Sequence, residues 1–84
     1  MHSRRRTNYA IEGVRRAVDT TIRTSYPPHV KVERLRAIHM VLNNFKYSIR
    51  SLPDWDELQR LEVRILDSIN DYQSQLPSGV VTHY

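Results

Sequence analysis

The sequence predicts an all-α protein of three amphipathic helices, two long antiparallel ones followed by a third. Three observations support this. Pro27, Pro28 and Pro53 cut the 84 residues into three long segments, because proline supplies no amide proton and disfavours helical backbone in the residue before it. Within each segment apolar residues recur at steps of three and four, and strand-like alternation is absent. Glycine occurs only at 13 and 79, which leaves little support for a sheet protein and its turns.

The first helix is expected over residues 7–24. Ala10, Ile11, Val14, Ala17, Val18, Thr21 and Ile22 form its apolar stripe. On the other side Glu12 precedes Arg16, and Asp19 precedes Arg23, by four residues, pairs worth about 0.2–0.5 kcal/mol each. Gly13 in mid-helix costs about 1 kcal/mol relative to alanine, which a close helix–helix approach would justify. Ser25-Tyr26-Pro27-Pro28 makes a short rigid turn, and short connections leave neighbouring helices antiparallel.

The second helix is expected over residues 29–51, with Leu35, Ile38, Val41, Leu42, Phe45, Ile49 and Leu52 as its apolar face. The third is expected over residues 54–76. Asp54 stands as its N-cap, and Glu57 completes a capping box with acid in the first turn. Leu58, Leu61, Ile65, Ile69, Tyr72 and Leu76 form a narrow seam of the kind that packs on another helix. Residues 1–76 therefore read as one helical domain, and 77–84, opening with Pro77-Ser78-Gly79, as a flexible C-terminal tail. A domain this small buries little apolar surface, so oligomerisation is expected.

Charge divides the chain. Residues 1–50 hold eleven Lys and Arg against three acids, a balance of +8, whereas residues 51–84 hold two against six, a balance of −4. A polyanion meets one attractive and one repulsive region. At 100° per residue, Arg36, His39, Asn43, Lys46 and Arg50 fall in one line along the second helix with Tyr47 beside it, and no acid of that helix joins them. A row of donors about 21 Å long, at 1.5 Å rise per residue, suits phosphates or ribose hydroxyls. A merely solvated helix face is the plain alternative. Lys31 and Arg34, near the turn, extend the candidate site, and Arg4, Arg5 and Arg6 form a basic arm that serves as auxiliary binding element, tail or localisation signal.

Other chemistry finds little support. No cysteine is present, no His pair has metal-ligand spacing, and no glycine-rich phosphate loop or nucleophile–base pair occurs. The expectation is a protein with no metal, no cofactor, no small-molecule substrate and no catalysis, although a small helical enzyme of the chorismate mutase type also places arginines inside a bundle. No apolar run approaches a membrane span and no signal-peptide core follows Met1–Arg6, which points to a cytoplasmic protein with no membrane partner.

Ala17-Val18-Asp19, then Ser25-Tyr26, a proline-bearing turn and Ile38-His39-Met40-Val41-Leu42-Asn43-Asn44-Phe45-Lys46 together resemble the small double-stranded-RNA-binding silencing suppressors of insect nodaviruses. Those proteins show an Ala-Val-acid segment, a Ser-Tyr, a short turn and a Leu-His-x-x-Leu-Asn-x-x-Lys run in the same order. The likeness spans residues 10–52 and needs a small gap in the turn.

The resemblance implies two long antiparallel helices and a third, dimerised into a four-helix bundle that lies along one face of an RNA duplex. His39, Asn43 and Lys46 fall in the matching run, and Arg50 lies one place from the family's basic residue. Asn44 stands where the family tends to be basic, and the arginine-rich start and long third helix also depart from its pattern. The implied function is sequence-independent shielding of double-stranded RNA from processing, as a viral suppressor of RNA silencing in the infected cell's cytoplasm. The alternatives are a small viral or phage interaction module or inhibitor that docks a partner helix on the Leu58–Leu76 seam, and a DNA-binding helical protein.

Overall fold

The computed structural model describes the backbone of residues 2–76 and the side chains of residues 9–76. Three helices, α1 (His2–Arg23), α2 (Pro28–Lys46) and α3 (Leu52–Ser74), account for nearly all of that length, and the described residues include no strand.

Local chemistry sets each boundary. α1 starts at His2 rather than at residue 7, so Arg4, Arg5 and Arg6 belong to the helix, while their side chains lie outside the described residues. At its far end Thr24 Oγ1 donates to the Thr20 carbonyl at 2.6 Å, and Lys31 Nζ reaches back from α2 to the Ile22 carbonyl at 2.7 Å. An ammonium there meets the negative end of the α1 dipole. Pro27 caps α2 in extended backbone and Pro28 takes its first position, where a missing N–H costs nothing.

α2 ends at Lys46, short of the expected residue 51. Ser48 turns both its N–H and its hydroxyl onto the Phe45 carbonyl, at 3.0 and 2.6 Å, and a serine that bonds nearby backbone in this way competes with helix propagation. Tyr47 and Arg50 consequently lie beyond the helix, and the continuous row expected along it is shorter.

α3 starts at Leu52, not at residue 54. Its N-cap is Ser51, whose side chain accepts from the Asp54 N–H at 3.5 Å, and Pro53 sits inside the first turn. The capping acid expected at Asp54 is thus displaced by one turn: Asp54 is a buried first-turn residue, still favourably placed at the positive end of the dipole. The helix closes at Ser74, before Leu76 and the Pro77 that follows it in sequence. The expected tail at 77–84 lies outside the described residues.

The core joins all three helices. Ile11, Val14 and Val18 of α1, Val32, Leu35 and Leu42 of α2, and Leu58, Leu61, Ile65 and Ile69 of α3 are buried, with Ile22, Ile38, Phe45, Ile49 and Tyr72 packed around them. The third-helix seam is therefore internal from Leu58 to Ile69. Each fully buried aliphatic side chain contributes about 1.5–3 kcal/mol, so the seam anchors α3 and leaves no docking surface there. α1 and α3 run in the same direction, because Arg15 pairs with Glu57 and Asp19 with Arg64, in that order along both helices.

On α2 the core faces a direction that the apolar stripe alone does not give. Val41, expected inside, is 53% exposed, whereas Val32 is 2% exposed; Leu52, expected on the same face, is instead the first residue of α3 and is 76% exposed. At 100° per residue the buried positions Val32, Leu35 and Leu42 point about 100° away from the mean direction of Ile38, Val41 and Phe45. α2 thus divides its apolar surface between the core and a second, outward face.

Candidate functional site

The rotation of α2 decides the fate of its cationic row. His39 and Lys46 lie within about 30° of the direction in which the buried residues of α2 point, and both meet Glu62 of α3. His39 Nε2 is 2.9 Å from Glu62 Oε2, and Lys46 Nζ is 3.3 Å from each carboxylate oxygen. An ionised carboxylate only accepts, so His39 Nε2–H is the donor in this contact. The side chains of His39, Lys46 and Glu62 are 24%, 22% and 16% exposed. The His39 hydrogen bond holds the Glu62 carboxyl below its ordinary value of 4.5, against the opposing effect of burial and with help from Lys46. Lys46 Nζ also stands 5.9 Å from the centroid of the Trp55 ring.

The expectation of an outward, acid-free row on α2 is therefore corrected. The acid missing from α2 is supplied by α3, and two of the five residues in the row are engaged with it. Arg36 and Asn43 are half-buried along the same side of the helix, and Arg50 is exposed in the connection after it. Tyr47 is 86% exposed. Near the first turn, Lys31 is committed to holding the fold, since besides capping α1 its Nζ lies 5.0 Å from the Tyr72 ring centroid. The Arg34 guanidinium lies 4.5 Å from the centroid of the Tyr26 ring, a cation–π contact on a residue that is exposed.

Glu62 is the residue that single-helix reasoning missed. A signal existed, because Glu62 repeats with Leu58, Ile65 and Ile69 at steps of four, three and seven, placing it on the inward flank of the seam. The expected Glu12–Arg16 pair forms at 3.6 Å and Arg15 joins Glu12 at 2.6 Å. Asp19, expected to pair with Arg23, instead takes Arg64 at 2.6 Å. Arg15, Arg60 and Arg64 line a cleft of about 340 Å³ between α1 and α3, where Arg15 pairs with Glu12 and Glu57 and Arg64 with Asp19.

On the opposite side, α1 and α2 leave an open apolar groove of about 310 Å³ lined by Ala10, Gly13, Val14, Ala17, Ile38, Val41 and Phe45. A Cβ built on Gly13 meets nothing within 4 Å, so the glycine answers no close approach among the described residues of this chain. The described residues include no group of three or more His, Cys, Asp or Glu able to hold a metal ion, and none of the helices is long and apolar enough to cross a membrane. No family model, curated protein or solved structure matches the chain.

Proposed function

We propose that the protein works as a homodimer whose α1/α2 grooves close on each other into a four-helix bundle. We propose further that this dimer binds double-stranded RNA without sequence preference, shielding it from processing as a suppressor of RNA silencing in the cytoplasm of an infected cell. The observation that carries this reading is the open apolar groove on the two helices that also hold most of the positive charge. Ala10, Gly13 and Ala17 present a surface without bulk, which allows a second backbone to approach closely, and Val41 and Phe45 supply the apolar area to cover. Pairing doubles the phosphate contacts on one rigid platform. The function is binding, with no catalytic step, metal or small-molecule substrate.

The contacts differ from those expected on α2 alone. Arg50, Tyr47 and Asn43 remain candidates, joined by Arg34 and by the exposed Arg16 and Arg23 of α1. His39 and Lys46 are first engaged by Glu62 of α3. A-form RNA offers phosphates and 2′-hydroxyls along a wide, shallow minor groove, which matches donors set on rigid helices better than base-edge readers.

Sedimentation equilibrium and gel shifts test this together. The wild type is expected to be dimeric and to bind duplex RNA better than duplex DNA or single-stranded RNA, with affinity falling steeply as salt rises. Val41→Glu, a change at a half-exposed position, is expected to leave helicity intact while abolishing both dimer and RNA binding. A wild type that stays monomeric, or that binds no duplex RNA at low salt, overturns the proposal.

A further inference from the structure

We infer that Glu62 is a built-in competitor for phosphate, and that the junction between α2 and α3 is a masked anion site opened by turning this one side chain outward. The inference rests on the duplex-RNA reading and deepens it by naming what regulates the site. A carboxylate offers His39 and Lys46 the same thing as an RNA phosphate: anionic oxygens that accept charge-assisted hydrogen bonds. Glu62 occupies both donors at 2.9 and 3.3 Å, so its negative charge cancels the Lys46 positive charge.

Three features make the mask removable. The triad sits at the rim of the junction, with each of its side chains still partly exposed. α3 is held independently of Glu62 by Leu58, Leu61, Ile65 and Ile69, so the carboxylate can rotate while the helix stays in place. The Trp55 face keeps the Lys46 ammonium near the junction when the carboxylate leaves. Asn43, four residues after His39 and three before Lys46, lies between them on the same side of α2 and adds a neutral amide for a phosphate or hydroxyl.

The test compares duplex RNA binding by the full chain carrying Glu62→Gln, by wild type and by Asp67→Asn. The last removes an exposed α3 carboxylate that has no ion pair among the described residues and changes net charge equally. Glu62→Gln is expected to bind about fivefold more tightly at about 0.1 M salt, with a log–log salt slope steeper by about 0.7–0.9, as one further phosphate contact per site requires. Asp67→Asn is expected to show neither change. Should Glu62→Gln fail to fold, Glu62→Asp keeps the charge on a side chain one methylene too short to hold both donors, and it is expected to gain affinity in the same direction. A folded Glu62 variant that binds no better than Asp67→Asn, while wild type binds normally, overturns the mask and leaves the RNA reading standing. If neither wild type nor variant binds duplex RNA, both fall.

Discussion

The two sides of α2 are finished to different degrees. Toward α3 the interface is complete: Leu35, Leu42, Leu58 and Ile65 show no exposure, and the polar groups at its edge, His39, Lys46 and Glu62, satisfy one another. Beside α1 the helix leaves an open groove, with Val41 half exposed and empty space around Gly13. Interior contacts of the first kind hold a protomer together, whereas an apolar surface left open on a small domain is what an association interface looks like before its partner arrives. The difference places the protomer's own packing on one side of α2 and, in the proposed dimer, leaves the other side for the second copy.

The largest effect that could break this comparison is truncation in the finished interface. Ile65→Ala is expected to cost about 2–5 kcal/mol, a large fraction of the stability of a domain this small. Val41→Ala in the groove is expected to cost the isolated protomer under about 1 kcal/mol while weakening the proposed dimer. Urea denaturation at several protein concentrations separates the two, and equal costs independent of concentration would erase the distinction.

A smaller effect sharpens the role of the polar edge. Because the folded state holds the Glu62 carboxyl below 4.5, its contribution to stability is present above that value and is lost as pH falls through the folded one. Denaturation midpoints at about pH 6 and about pH 3.5 are expected to differ by more in wild type than in Glu62→Gln, which has no carboxyl to protonate at that position. An identical acid response in the two proteins would show that Glu62 holds nothing. The smallest effect belongs to Arg50→Ala. Its exposed position predicts a change in stability within about 0.5 kcal/mol, together with a salt slope for duplex RNA shallower by about 0.7–0.9 per site.

Much of the helical architecture is legible in the residue pattern. The apolar steps of α3 place Leu58, Leu61, Ile65 and Ile69 correctly in the core, because a seam of threes and fours has only one direction to face. α2 is harder, since its apolar arc is wide enough to serve two neighbours and periodicity does not say which neighbour takes which part. Helix ends set by side-chain competition, such as Ser48 on the Phe45 carbonyl and Ser51 capping α3, differ from expectation by a few residues, because prolines mark a break more plainly than hydroxyls do.

The sequence by itself determined three helices, their prolines and turns, the inward seam of α3 and the separation of basic from acidic halves. These follow from backbone sterics and residue spacing, which act locally along the chain. Only the tertiary structure decided that the cations of α2 meet an acid, that Asp19 looks to Arg64 instead of Arg23, and that one apolar flank stays open. Those outcomes depend on how far each helix is rotated against the others. That rotation is set by packing all three into one core, and it brings together charges 16 and 45 positions apart that no single-helix pattern relates.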